Sequence, residues 1–199
     1  MTRWKPDARG RLLEAALALY REKGFDATTV AEIAERAGLT ERTFFRYFTD
    51  KREVLFWGGH RLEAMMLDAL AKAPPSTGPM AAIGLAITTA AELAPWQHEA
   101  SRERHAVIYA HAELHERELL KLASLGAALA KGLHARGVAE PDASLAAEAG
   151  IAVFRISFER WIRAPKPKPI LHYMQEGLAQ LTAVVAGTTK PKRATKAAR

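Results

Sequence analysis

The chain has 199 residues, which is long enough to bury a hydrophobic core in one or two domains. Forty of the residues are alanine, a composition that favours helices. It has no cysteine, which excludes disulfide scaffolds and thiolate sites. It also has no apolar run of roughly 18 residues, so we expect a cytoplasmic protein with no membrane partner. The net charge is +7, and residues 163–199 hold 8 basic and 1 acidic side chains, which favours an anionic partner such as nucleic acid.

The first predicted helix runs from Asp7 to Gly24. Asp7 is a candidate N-cap, and Gly24, preceded by Lys23 in the last turn, is typical of a helix end. The apolar residues between them recur about every 3.6 positions: Leu12, Leu13, Ala16, Leu17 and Tyr20.

Two short helices joined by a tight turn follow. Thr29 and Glu32 form a capping box before a helix over 30–37, and Thr40 caps the next helix. Gly38 between them can adopt the positive φ of a tight turn. The apolar side chains expected to pack against the first helix are Val30, Ile33, Ala37, Leu39, Phe44 and Phe48. This arrangement predicts a helix-turn-helix.

The remaining elements are also predicted to be helical. Asp50 and Glu53 form a second capping box, which opens a fourth helix reaching about residue 73. Further helices are predicted at 79–94, 97–111, 113–136, 142–163 and 169–186, separated by proline and glycine.

The predicted fold class is therefore all-α, with an N-terminal three-helix helix-turn-helix DNA-binding domain over 1–52. A second helical domain is predicted over 53–186. The basic tail, 187–199, has no apolar periodicity and is predicted to be disordered.

The second short helix carries the side chains expected to contact DNA. Its exposed face and N-terminal end, where base edges are read, hold Glu41, Arg42, Thr43 and Arg46. The helix starts at Thr29, Thr40 and Asp50 offer N–H groups to phosphates. The N-terminal arm, with Arg3, Lys5 and Arg9, either reaches the DNA backbone or minor groove or is simply solvated.

The stretch TTVAEIAERAGLTERTFFRYFTDKREVLF closely resembles the helix-turn-helix of the TetR family of bacterial transcriptional regulators, and the match covers about residues 9–56. The resemblance implies contacts to the DNA backbone from Thr43, Phe45, Tyr47 and Lys51. Phe45 and Tyr47 depart from the family's usual tyrosine and histidine. Phe45 has no hydroxyl for a phosphate, whereas Tyr47 can supply one instead.

The family resemblance of the DNA-binding motif also implies that the second domain, 53–186, is a ligand-binding and dimerisation domain. It further implies a homodimer that binds a palindromic double-stranded DNA operator. The last two helices are its expected four-helix interface. The first offers small residues for close approach, namely Ala146, Ala147, Ala149, Gly150 and Val153. The second offers an apolar stripe of Leu171, Met174, Leu178, Leu181 and Val185. The alternative is that both helices pack only within one subunit.

A small-molecule effector, hydrophobic or amphipathic, is expected between the helices of the second domain. The candidate lining residues are Met66, Ile87, Trp96, His105, Tyr109, Phe154 and Phe158, although each could equally be ordinary core. Arg102, Arg104 and His105 could meet an anionic head group, as in an acyl-CoA or a fatty acid. A solvated helix face explains the two arginines equally well.

No catalytic, metal or cofactor site is expected. His111 and His115 have helical i, i+4 spacing, but their order, HAELH, misplaces the carboxylate of zinc proteases. The sequence has neither a G-x-S-x-G motif nor a phosphate-binding loop, so we do not expect an enzyme. The leading hypothesis is a ligand-responsive repressor. The alternative is a sequence-independent architectural DNA-binding protein.

Overall fold

The structure, a computed structural model, describes residues 8–188. Every regular element in this range is an α-helix, which confirms the predicted fold class. The ten helices are α1 Ala8–Lys23, α2 Val30–Arg36, α3 Glu41–Tyr47, α4 Lys51–Phe56, α5 Gly59–Lys72, α6 Pro79–Leu93, α7 His98–Ala110, α8 Ala112–Ala135, α9 Asp142–Ile162 and α10 Ile170–Val185. None of the helices in the described range is long and apolar enough to cross a membrane.

The capping signals around the tight turn act as predicted. Thr29 N donates to Glu32 Oε2 at 2.8 Å, and Glu32 N donates to Thr29 Oγ1 at 3.3 Å, which completes the capping box of α2. Thr40 Oγ1 accepts from the N–H of Thr43 at 3.2 Å and so caps α3. Gly38 between the helices has a φ of +65°. Local hydrogen bonding therefore sets both ends of the turn.

The prediction of one long fourth helix is wrong, because α4 ends at Phe56 and α5 begins at Gly59. Gly58 and Gly59 explain the break, since glycine has the poorest helix propensity after proline. The second capping box is only half formed. Asp50 accepts from the N–H of Glu53 at 3.2 Å, but the Glu53 side chain bonds to Arg117 instead of closing the box.

The two ends of the chain are only partly described. Gly187, with a φ of +67°, and Thr188, whose N–H donates to the carbonyl of Ala183 at 3.0 Å, close α10. These two residues thus belong to the end of α10, while the predicted disorder of the tail stays a prediction. The predicted N-cap Asp7, the arm residues Arg3 and Lys5, and the tail from 189 to 199 lie outside the described residues.

The buried apolar residues form two cores. The first joins α1 to α4 and contains the predicted Ile33, Phe44 and Phe48, with Val30 and Leu39 packed at its edge. The second joins α5, α6, α8, α9 and α10.

The first core also includes side chains from outside the predicted DNA-binding domain. They are Val54, Leu55 and Phe56 from α4, Ile108 from α7 and Leu114 from α8. The domain boundary at residues 52 and 53 stays a prediction, since the packing of α4 continues the first core past it.

The small residues of α9 are used inside the subunit rather than on its surface. Ala146, Ala147, Gly150 and Val153 are buried within the single chain, so their assignment to a dimer face is wrong. A Cβ on Gly150 would lie 2.3 Å from Ile83 Cγ2 of α6. Glycine is therefore required there by the close approach of α6 and α9.

We predict that Gly150→Ala lowers the free energy of unfolding by about 1–3 kcal/mol, because Ile83 is buried and has no space to move. Gly84→Ala is the matched control. Its Cβ would lie 3.5 Å from Leu178 Cδ1, an ordinary contact, so the variant should gain up to about 1 kcal/mol from the reduced flexibility of the unfolded chain. Urea unfolding of both variants measures the difference. Equal changes would contradict the close approach.

Candidate DNA interface and effector site

Helix α3 presents a polar face on a buried anchor. Phe44 is 0% exposed and fixes the helix against the first core. Glu41, Arg42 and Arg46 are exposed, and Thr43 is half-buried at the same end as Glu41 and Arg42. Of the predicted base-reading side chains, three are thus free to enter a groove and the fourth lies at their edge.

A cluster of cations surrounds Tyr47 at the C-terminal end of α3. Arg46 Nη2 donates to the Tyr47 hydroxyl at 2.9 Å, and the Arg46 guanidinium lies 4.8 Å from the ring centroid. Arg9, from the predicted arm, lies 5.0 Å from the same centroid. Neighbouring Phe45 is 54% exposed. Two guanidinium groups beside a phenol are well suited to bind one phosphate.

Lys51 has a different environment from the one predicted. Its Nζ donates to the carbonyls of Phe25 at 2.7 Å, Asp26 at 3.1 Å and Thr28 at 2.9 Å, which uses all three N–H groups of an ammonium. The hydroxyl of Tyr20 donates to the Lys51 carbonyl at 2.8 Å. Lys51 therefore locks the loop between α1 and α2, and a phosphate could bind it only by replacing one of these carbonyls.

Thr29 is also occupied by internal bonds. Its Oγ1 donates to Glu32 Oε2 at 2.7 Å. Hydrogen bonds from Lys23 and Thr29 lower the pKa of Glu32 to about 2, so the carboxylate stays charged at neutral pH. At the start of α4, the Asp50 carboxylate fills the helix N-terminus where a phosphate was expected. Of the three predicted helix starts, only Thr40 lies beside the exposed face of α3.

The structure brings together five of the seven predicted effector residues. Phe158 links them, because its ring centroid lies 6.1 Å from Trp96, 6.3 Å from Phe154 and 6.2 Å from His105. His105 in turn stacks on Tyr109 at 3.9 Å. We call these five residues the ring cluster.

Met66 and Ile87 differ from the ring cluster. Both are fully buried among the aliphatic side chains of the second core, so the alternative of ordinary core accounts for them.

The anionic head group expected at Arg102, Arg104 and His105 is not supported by their surroundings. Arg102 is exposed and bonds to Glu99 at 2.7 Å. The Arg104 side chain bonds to the carbonyl of Leu55 in α4 and to Glu118 in α8. Burial lowers the pKa of His105, so the imidazole is neutral at pH 7 and adds no positive charge.

The two domains meet where α7 and α8 hold α4. Arg104 Nε donates to the carbonyl of Leu55, and its two terminal nitrogens donate to the Glu118 carboxylate at 3.1 and 2.7 Å. Arg117 bonds to Glu53. The cations that lie 5.4–5.5 Å from the Phe56 ring are Arg104, Arg117 and Lys121. We call this group the α4 junction. No local sequence pattern predicts this junction, because its partners are far apart in the chain.

The two histidines with metal-like spacing are used in packing. His111 lies between α7 and α8, and its Nδ1 lies 2.9 Å from the carbonyl of Val107. His115 stacks on Tyr109 at 4.3 Å. Within residues 8–188, no group of three or more His, Asp or Glu side chains converges on a point where a metal could bind.

Comparison with known proteins adds to this geometry. Residues 12–56 match the family model for bacterial regulatory proteins of the tetR family, and residues 77–186 match the model for the MftR C-terminal domain. The chain is 36% identical over 75 residues to the HTH-type transcriptional regulator TcmR of Streptomyces glaucescens, covering 38% of this chain and 33% of that protein. It is 43% identical over 47 residues to the HTH-type transcriptional repressor KstR2 of Mycobacterium tuberculosis, covering 24% of each. The chain thus spans a third or less of either relative.

Solved structures match over most of the chain. A TetR transcriptional regulator from Nitrosomonas europaea has a TM-score of 0.61 at 16% identity, covering 89% of this chain and 98% of that one. FadR of Thermus thermophilus, a transcriptional repressor solved with lauroyl-CoA, has a TM-score of 0.54 at 22% identity, covering 96% and 100%. At these identities the likeness shows a shared fold.

We predict that Lys51→Met lowers the free energy of unfolding by about 1–3 kcal/mol, because three loop carbonyls lose a charged donor. Lys131→Met, at an exposed lysine of α8, is the control and should change it by less than about 0.5 kcal/mol. Thermal unfolding measures both. Wild-type stability combined with weaker binding to every DNA sequence would show that Lys51 serves a phosphate instead.

Proposed function

Because this chain belongs to the TetR family of bacterial transcriptional regulators, we propose that it is a ligand-responsive repressor. It binds a palindromic operator as a homodimer and is released by a small-molecule effector. The observation that carries the proposal is the exposed polar face of α3, held on buried Phe44 and flanked by Arg9, Arg46 and Tyr47.

In this proposal α3 enters the major groove. Glu41, Arg42, Thr43 and Arg46 read base edges, since arginine pairs with guanine and glutamate accepts from cytosine. The N-terminus of α3 at Thr40 and the hydroxyl of Tyr47 bind the backbone.

Three further residues have smaller parts in the proposed interface. Phe45 contributes apolar surface, since it has no hydroxyl to bond to a phosphate. Thr29 and Lys51 lie beside the DNA in this proposal and keep their hydrogen bonds within the protein.

A dimer is needed because one helix-turn-helix contacts few base pairs. The exposed stripe of α9 supports it: Leu145 is 65% exposed and Ile156 is 49% exposed, with half-buried Ala149 and Ala152 between them at helical spacing. At the end of α10, Val184 and Val185 are also exposed. We propose that these apolar residues form the interface, in place of the small residues that pack inside the subunit.

We propose that the effector binds at the ring cluster, with Met66 and Ile87 as the aliphatic layer behind it. The cluster offers apolar surface with a few polar atoms, which suits a hydrophobic or amphipathic molecule. The lauroyl-CoA bound by FadR is one such molecule on this fold. Because His105 and Arg104 are neighbours on α7, a ligand at the cluster displaces the α4 junction and shifts the population away from the operator-binding arrangement.

We predict that Arg42→Ala weakens binding to an operator selected from the native genome by about 1–3 kcal/mol and relaxes discrimination at one base. Tyr47→Phe should instead weaken all sequences alike, because it loses a phosphate bond. Arg61→Ala, an exposed arginine of α5, is the matched control. Fluorescence anisotropy with operator and random duplexes measures all three. Unchanged affinity in both α3 variants would refute this assignment of α3, and equal affinity of the wild type for both duplexes would indicate an architectural DNA-binding protein.

Exposure separates two members of the ring cluster. Tyr109 is 42% exposed, so Tyr109→Ala should cost less than about 1 kcal/mol of stability while raising the effector concentration that releases the operator. Phe154 is buried, and Phe154→Ala should cost about 3–5 kcal/mol. Thermal unfolding and operator release by a compound found in a ligand screen measure these effects. A normal release curve for Tyr109→Ala would place the effector elsewhere.

A further inference from the structure

A groove of about 410 Å³ lies beside the ring cluster, between the end of α6, the start of α7 and the loop from α9 to α10. Ala91, Ala94 and Ile170 form its floor, Trp96 and Trp161 its walls, and Lys168 lies on its rim. This volume is within the range of about 300–1,000 Å³ typical of small-molecule sites.

The walls of the groove are fixed by hydrogen bonds. Trp96 Nε1 donates to the carbonyl of Ala90, and Trp161 Nε1 donates to the carbonyl of Lys168, both at 3.2 Å. His98 Nε2 lies 3.0 Å from the carbonyl of Trp161. Both indole N–H groups are thus satisfied within the protein. Half-buried Trp96 presents apolar ring surface to a ligand, whereas Trp161 is 3% exposed and serves to support the groove. The groove is therefore formed before any ligand binds.

One lysine, Lys168, lines the groove. The loop from residue 163 to 169 holds three basic side chains and no acidic one, and its prolines carry no N–H to compete for an anion. Lys168 is exposed, and its Nζ lies 3.1 Å from His172 Nε2, an atom that also lies 3.0 Å from Glu176 Oε1. A ring nitrogen either accepts from Lys168 or donates to Glu176, so the Lys168 ammonium uses at most one N–H there and keeps at least two for a ligand.

We propose that this groove binds an amphipathic monoanion, with its apolar chain against Trp96, Pro167 and Pro169 and its carboxylate at Lys168. The proposal rests on the proposed function in one respect, because Trp96 also contacts Phe154 and Phe158 of the ring cluster. A chain that enters the groove thus reaches the effector site. In this proposal Lys168 binds the anionic head group that the sequence predicts at Arg102, Arg104 and His105.

Decanoate and decan-1-ol test the proposal on the full-length protein, because they have alkyl chains of similar length and differ in charge. Trp96 and Trp161 are two of the four tryptophans, so binding is followed by their fluorescence. Lys168→Gln should weaken decanoate binding about tenfold and leave decan-1-ol binding unchanged, since only the anion loses a charged donor. Lys131→Gln, at the far end of α8, is the matched control and should leave both unchanged.

A second variant tests the location of the apolar chain. Ala94→Phe fills the groove and should weaken both compounds at least tenfold, with thermal unfolding as the check that the variant folds. Decanoate binding within twofold of the wild type in Lys168→Gln, or undiminished binding in a folded Ala94→Phe, would overturn the proposal. Operator binding without any probe is measured in parallel. Its loss would count against the proposed function, whereas a lack of decanoate binding with normal operator binding would count only against the groove.

Discussion

Arg104 joins α4 to the second domain, and the proposed regulation of DNA binding depends on this connection. One guanidinium binds the carbonyl of Leu55 at the end of α4 and, through two parallel bonds, the Glu118 carboxylate on α8. The planar fork of arginine makes this geometry directional. Since α4 packs into the first core, α1 to α3 are held with it. The orientation of α3 is thus set by the second domain.

Helix α7, which carries Arg104, also carries residues of the proposed ligand sites. His105 follows Arg104 on α7 and contacts Phe158 of α9, while His98 at the start of α7 contacts Trp161. In the mechanism that we propose, a ligand at the ring cluster or the groove acts on α7, and α7 acts on α4 through Arg104. At Gly150, α6 and α9 pack too closely for a side chain to fit between them.

Much of the DNA-binding half could be predicted because its signals are local. The box of Thr29 and Glu32, the cap at Thr40 and the glycine at 38 are each set within a few residues, and the structure has them all. The bonds of Lys51 to the α1–α2 loop and of Arg104 to Glu118 join distant segments, and no periodicity predicts them. The members of the ring cluster could be predicted from their residue types. The small residues of α9 could be predicted in the same way, but they are buried inside the subunit, so residue type alone does not predict which neighbouring surface a helix face contacts.

The most direct test measures how firmly the two DNA-binding domains of a dimer are held. The chain has no cysteine, so Glu35→Cys, at an exposed position of α2, takes one spin label per subunit. Pulsed dipolar spectroscopy then gives the distance between the two labels in the dimer. The account predicts one narrow distance distribution, which broadens when Arg104→Met is added to a protein that still folds and dimerises. An equally narrow distribution in that variant would show that Arg104 does not set the position of α4.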